Sequence, residues 1–88
     1  MRSAFYNLIN FINMTNVHDV FWSAAKIILQ NIYKIPHSTI TEVANMCYVS
    51  TATISRLCRK LNYESFADFK NDVTNNLNFF NQDVKRLY

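Results

Sequence analysis

The absence of glycine is the feature that most restricts how this chain folds: none of its 88 residues is Gly. Tight β-hairpins depend on residues that accept positive φ angles, glycine above all, so a chain without glycine fits an all-helical protein better than one built from hairpins. The one proline, Pro36, falls between helical patterns, and no stretch alternates apolar and polar residues as a strand would. We therefore predict an all-α fold, a compact bundle of about five helices in one domain.

The stretch Thr39–Asn62 predicts two short helices joined by a tight turn. Its residues 39 and 42 have the Thr-x-x-Glu spacing of a capping box, and Ser50 is a good N-cap for the second helix. Apolar residues recur on that helix at i, i+3, i+4 and i+7 and form one stripe: Ile54, Leu57, Cys58 and Leu61. The opposite face carries small or basic side chains: Ala52, Ser55, Arg56, Arg59 and Lys60. Such a helix suits the major groove of DNA.

The net charge of the chain is concentrated on this second helix. The chain has nine basic and six acidic residues, a net charge of +3. Ser50–Asn62 contains Arg56, Arg59 and Lys60 and no acidic residue, so the six basic and six acidic residues elsewhere balance. A local positive excess is typical of a nucleic-acid-binding surface. The alternative is that these are solvated side chains on an exposed helix face.

Two helices are predicted before the pair. The first, Ser3–Met14, has one apolar face: Phe5, Leu8, Ile9 and Ile12. The second runs from Val17 to about Tyr33, with its start signal at residues 15 and 16 and a loop over residues 34–38, because Pro36 blocks continuation. Its buried positions are predicted to be Phe21, Ala24 or Ala25, Ile28, Leu29 and Ile32. Trp22 is expected at the edge of the core rather than as a platform for a ligand.

One more helix is predicted after the pair. Asn62 is expected to end the preceding helix in a left-handed conformation, and Ser65 to cap a helix from Phe66 to about Asn78. An almost regular heptad seam extends through and beyond it: Phe66, Phe69, Val73, Leu77, Phe80, Val84 and Leu87. Several asparagines weaken the helix propensity there, so residues 79–88 are left open as helix, dimer contact or linker.

No metal, cofactor or membrane partner is expected. Cys47 and Cys58 lie far apart, and neither His18 nor His37 has metal-ligand spacing to them or to each other. Both cysteines lie on apolar stripes, where they behave as small hydrophobes, which favours a reduced, cytoplasmic protein. No secretory signal is evident, and no apolar run approaches the length of about 18 residues that a membrane span requires.

Four short motifs follow one another between residues 40 and 70. They are Ile-x-Glu-Val-Ala at residues 40–44, Val-Ser-x-Ala-Thr-Ile-x-Arg at 49–56, Arg-Lys-Leu at 59–61 and Phe-x-x-Phe-Lys at 66–70. Together they resemble the N-terminal helix-turn-helix domain of the RpiR/MurR family of bacterial transcriptional regulators, over about Val17–Val73. Where that family has glycine, this chain has Tyr48 in the turn and Asn62 after the second helix. A positive φ at Tyr48 would carry strain of about 1–3 kcal/mol.

The resemblance implies a homeodomain-like helix-turn-helix that binds double-stranded DNA and regulates genes of sugar or phosphosugar metabolism. Residues 1–78 are expected to form the DNA-binding domain and residues 79–88 a tail or a linker. Members of the family bind a phosphosugar effector through a C-terminal domain that is absent from this chain. A homodimer is expected from the apolar surface of the first helix and the tail, and from the usual need to bind two half-sites.

The residues expected to meet base edges lie near the start of the second helix of the pair: Thr51, Ala52, Ser55 and Arg56. The Arg56 guanidinium can donate two hydrogen bonds to guanine, and the Ala52 methyl group can contact the methyl of thymine. The Thr51 hydroxyl is equally suited to a phosphate oxygen.

The residues expected to hold phosphates flank these base contacts. Hydroxyls at the two helix starts are provided by Thr41, Ser50 and Thr53, and free amides lie beside them. Arg59 and Lys60 reach the backbone from the far end of the second helix. Thr53 has an alternative role as a hydroxyl that only stabilises its own helix.

Three other functions are alternatives to DNA binding. A helical protein-interaction or dimerisation module would use the aromatic first helix and the heptad seam, with the basic helix merely exposed. RNA binding usually relies on aromatic residues on a sheet or on flexible basic segments, and neither pattern occurs. Catalysis is least favoured, because no nucleophile–base grouping and no phosphate-binding loop is found, so we expect the chain not to be an enzyme.

Overall fold

A computed structural model of the chain describes the backbone of residues 3–86 and the side chains of residues 3–78. Five α-helices and one 3₁₀ helix follow in order: α1 (Ala4–Met14), α2 (Val20–Gln30), the 3₁₀ helix (Ile32–His37), α3 (Ile40–Met46), α4 (Thr51–Lys60) and α5 (Phe66–Arg86). The described backbone contains no strand. The predicted all-α bundle is confirmed.

The predicted N-caps around α3, α4 and α5 are confirmed. The Thr39 hydroxyl accepts the Glu42 amide at 3.1 Å while the Glu42 carboxylate accepts the Thr39 amide at 2.9 Å, which completes the capping box. Ser50 accepts the Thr53 amide at 3.1 Å, and Ser65 accepts the Asp68 amide at 3.2 Å. These caps set where each helix of the motif begins.

The predicted bounds of α2 are wrong at both ends. Its N-cap is Asp19, whose carboxylate accepts the amides of Phe21 and Trp22, so the helix begins at Val20 rather than after residues 15 and 16. It ends at Gln30, and the predicted loop is a 3₁₀ helix. Side chains three residues apart share one side of a 3₁₀ helix, and that spacing places Ile32 and Ile35 together in the core.

The predicted apolar face of α1 is wrong in one position. Ile9 is 46 % exposed, whereas Ala4 and Leu8 are fully buried. The helix packs between α2 and α5, and the side chain of Asn76 on α5 accepts the Ala4 amide at 2.9 Å. In this packing the partly buried Phe11 is on the inner side in place of Ile9.

The core lies beneath the α3–α4 pair, as predicted. The four residues of the α4 stripe are all buried, as are Val43 and Ala44 of α3 and its C-cap residue Cys47. The small Ala44 side chain lets the two helices cross closely, and its carbonyl accepts the Val49 amide at 3.0 Å across the turn. The fifth helix covers this core with Phe69, Val73 and Leu77 and continues to Arg86. The remaining heptad positions (Phe80, Val84 and Leu87) lie outside the residues whose side chains the structure describes.

Two of the described residues have positive φ angles; the sequence predicts the one at Asn62 and leaves the one at Tyr48 open. Tyr48 has φ 59° in the turn between α3 and α4, and Asn62 has φ 75° after α4. Asparagine accepts this left-handed conformation readily, but an aromatic residue does so at a cost. The turn therefore keeps its helix-turn-helix geometry without glycine and stores strain at Tyr48.

We expect Tyr48→Gly to raise the free energy of unfolding by about 1 kcal/mol, because relief of backbone strain exceeds the entropy that glycine adds to the unfolded chain. The Tyr48 side chain is 91 % exposed, so little packing is lost. Asn62→Gly is the matched control and should change stability by less than about 0.5 kcal/mol. Urea unfolding of both variants measures the difference, and equal effects would show that Tyr48 is not strained.

Candidate nucleic-acid interface

The start of α4 is held by a pair of hydroxyl groups. The Ser50 hydroxyl lies 3.0 Å from that of Thr53 and also accepts the Thr53 amide. The local stabilising role considered for Thr53 is therefore present. Only one of the two hydroxyl hydrogens is used between Ser50 and Thr53, so the other can be donated to a ligand. Thr51 is exposed beside them.

The outward face of α4 presents two arginines and a methyl group. Ala52, Arg56 and Arg59 are exposed on the side opposite the buried stripe, and Ser55 is half-buried at its edge. Neither guanidinium forms an ion pair with a carboxylate in the described part of the chain. The donors of Arg56 and Arg59 are therefore available to an acceptor outside the protein.

Lys60 lies on the flank of this face that borders α2. Its ammonium nitrogen is 4.9 Å from the centre of the Phe21 ring, within range of a cation–π interaction. The contact joins the end of α4 to the start of α2, and it limits the directions in which Lys60 can point. Lys60 remains exposed, so the charge stays available.

Thr41 is placed less favourably than the residues of α4. It is exposed in the first turn of α3, directly beside Glu42. The hydrogen bond from the Thr39 amide lowers the pKa of the Glu42 carboxyl, so a negative charge is kept next to the Thr41 hydroxyl. This charge opposes a phosphate at the start of α3.

Trp22 lies at the edge of the core, as predicted. It is half-buried, and its indole nitrogen donates to the Ile12 carbonyl at 3.2 Å. The His18 ring stacks on it with centres 3.8 Å apart, and the Lys26 ammonium lies 4.7 Å from the ring centre. The sequence pattern gave no indication of this partner, because the carbonyl belongs to the preceding helix.

Both cysteines are buried free thiols. Burial raises the pKa of Cys47 to about 11 and that of Cys58 to about 12, so both stay protonated at neutral pH. Among the described residues, no three potential ligands come together where they could hold a metal ion. In the same part of the chain, no helix has the length and apolar character needed to cross a membrane.

Comparison with known proteins places this geometry in a family. The model of a helix-turn-helix domain, rpiR family, matches residues 23–78. The matched segment begins within α2, includes α3, the turn and α4, and ends within α5, so α1 lies outside it. Neither the curated proteins nor the solved structures gave a significant match.

Proposed function

Because the chain belongs to the rpiR family of helix-turn-helix domains, which are DNA-binding transcription regulators, we propose that it recognises a specific duplex sequence through the outward face of α4. One observation carries the proposal. The exposed arginines of a firmly capped helix, Arg56 and Arg59, have no carboxylate partner in the described part of the chain, while the opposite side of that helix is buried. Such a helix enters the major groove without exposing its apolar side.

Base recognition is assigned to the first two turns of α4. Arg56 donates a bidentate pair of hydrogen bonds to guanine, and the exposed Ala52 methyl group contacts thymine. Ser55 is half-buried and reaches only a base close to the helix, whereas the exposed Thr51 can meet a base or a phosphate.

Phosphate binding is assigned to both ends of α4. At the start, the Ser50–Thr53 hydroxyl pair offers the one hydrogen that is not used between them. At the end, Arg59 and Lys60 provide positive charge. Thr41 makes the weakest contribution, because the adjacent Glu42 carboxylate repels a phosphate.

A homodimer on two half-sites is part of the proposal. The chain exposes the apolar Ile9 side chain on α1, 46 % accessible, and it is suited to cover by a second copy. Residues 1–78 would form the DNA-binding domain, and residues 79–88 a tail or linker. Control of sugar metabolism, through a phosphosugar bound by a separate domain, follows from the likeness to the RpiR/MurR family.

Selection of bound duplexes from a random pool tests the proposal directly. A palindromic consensus is expected, because two copies of α4 related by a two-fold axis read the same half-site. The rival function, a protein-interaction module, predicts no retained DNA complex in a gel shift at moderate salt. Recovery of no enriched duplex would therefore overturn the proposal in favour of that rival.

We expect Lys60→Ala to weaken binding to all duplexes alike and to lower the slope of log affinity against log salt by about one unit, because one phosphate contact is lost. Lys34→Ala is the control: it removes the same charge from the exposed surface of the 3₁₀ helix and should leave the slope unchanged. Fluorescence anisotropy at several salt concentrations measures both slopes. Equal slopes for the two variants would remove Lys60 from the interface.

A further inference from the structure

A polar groove lies between the last turns of α1 and α4, beside the proposed DNA-reading face. Its volume is about 170 Å³, several times that of a water molecule. Lys60 is part of its lining and follows Arg56 by four residues on α4, so the two side chains are neighbours on the helix surface. The groove and the surface that we assign to DNA therefore share Lys60.

The lining of the groove provides hydrogen-bond donors and no carboxylate. The donors are the amides of Asn10 and Asn62, the Thr15 hydroxyl and the Lys60 ammonium. The first three side chains make no hydrogen bond to the described residues, so they are available to a ligand. Asn7, at the inner end, is already engaged, because its amide donates to the Tyr63 hydroxyl at 3.1 Å.

The C-terminal ends of α1 and α4 lie at this groove. Each helix C-terminus carries a partial negative charge, which disfavours the binding of an anion. The carbonyls concerned are largely satisfied within the protein. At the end of α1, the Ile12 carbonyl accepts the Trp22 indole and the Phe11 carbonyl accepts the Thr15 amide. At the end of α4, the carbonyls of residues 57–59 accept the amides of residues 61–63. Lys60 is the one fully charged residue in the lining, and it remains exposed beside the Phe21 ring.

We propose that this groove binds one backbone phosphate of the duplex that α4 reads, so that α1 contributes to DNA binding although it lies outside the family match. The inference rests on the proposed function. Phosphate is the ligand whose chemistry fits, because it accepts hydrogen bonds from amides and hydroxyls and is attracted by the ammonium. The DNA backbone is the source we favour, because Lys60 in the lining is one turn of α4 away from Arg56.

Asn10→Asp tests the proposal by placing a carboxylate in the groove with almost no change in shape. It should weaken binding to duplexes of any sequence about tenfold relative to Asn13→Asp. Asn13→Asp is the matched control, because Asn13 is exposed on the same helix but does not line the groove. Asn62→Gly removes a donor at a position where glycine is tolerated and should weaken binding about threefold.

Fluorescence anisotropy measures these affinities on the duplex selected by the wild-type chain, and circular dichroism confirms that each variant is folded. Equal affinities for the Asn10→Asp and Asn13→Asp variants would overturn the groove assignment while leaving the α4 interface intact. Failure of the wild-type chain to bind any duplex would overturn both. Inorganic phosphate tests whether the groove binds a free anion instead of the DNA backbone. The groove is a free-anion site if two results occur together: phosphate raises the melting temperature of the wild-type chain more than chloride does at equal ionic strength, and the two Asp variants bind DNA alike.

Discussion

Replacing Arg56 by alanine should cost about 1–3 kcal/mol of binding free energy on the matched duplex and relax the preference at one base pair. The expected loss follows from the position of Arg56 at the centre of the outward face of α4, exposed and without a carboxylate partner in the described part of the chain. On a scrambled duplex the loss should be smaller, because only the charge contributes there. Anisotropy titrations on both duplexes give the two values.

Two variants separate base reading from charge at this position. Arg56→Lys keeps the charge but not the planar pair of donors, so it should lose sequence preference while retaining most of the non-specific affinity. Arg59 is an exposed arginine about one helical turn from Arg56, and we assign it to a phosphate contact. Arg59→Ala should therefore weaken binding to both duplexes alike. If Arg56→Ala also lowers affinity equally on matched and scrambled DNA, Arg56 is a phosphate contact and base reading must belong to its neighbours.

The features of the fold that could be predicted from the sequence are those decided within a few residues. The capping box at Thr39 and the N-caps at Ser50 and Ser65 involve groups only three residues apart, so their chemistry is visible in the sequence. The positive φ angle at Asn62 is also local, because asparagine after the end of a helix favours it. These signals placed α3, α4 and the start of α5.

The features that could not be predicted depend on partners distant in the sequence. The exposure of Ile9 follows from the way α1 packs against α2 and α5, where Asn76 on α5 also accepts the Ala4 amide. The direction of Lys60 depends on the Phe21 ring of α2, and no periodicity links the two. The start of α2 was missed for another reason: three candidate caps lie within five residues, and Asp19 prevails through two amide hydrogen bonds.

The same distinction between local and long-range features applies to the candidate interface. The outward face of α4 was visible as a helical period, because its opposite side is a single apolar stripe. The groove beside Lys60 was not visible, since Asn10 and Asn62 are distant in the sequence and line one groove only in the folded chain. The Glu42 carboxylate accepts the Thr39 amide, and we expect its charge to oppose a phosphate at the neighbouring Thr41.

Replacing Phe69 by alanine should lower the free energy of unfolding by about 3–5 kcal/mol, a large part of the 5–15 kcal/mol typical of a domain. Phe69 is fully buried on α5. Its ring meets that of Tyr63 edge-on, with centres 5.3 Å apart. Removing it leaves a cavity where α5 covers the core and also removes the support for Tyr63.

Phe66→Ala is the matched control, because Phe66 lies one turn earlier on α5 and is only half-buried. It should cost about 1–2 kcal/mol, since part of its apolar surface already faces water. Urea unfolding followed by circular dichroism measures both variants. Equal losses would show that α5 is not anchored through Phe69.

The consequence for α1 makes the Phe69 prediction more specific than a loss of stability. The Tyr63 hydroxyl donates to the Asp72 carboxylate and accepts the Asn7 amide, so it joins α5 to α1. Burial raises the pKa of Tyr63, which keeps this hydroxyl protonated. Without the Phe69 ring beside it, Tyr63 should hold α1 less firmly. Amide hydrogen exchange in the Phe69→Ala variant should therefore accelerate more in α1 than in α3. Uniform acceleration across the domain would show instead that the contact supports only global stability.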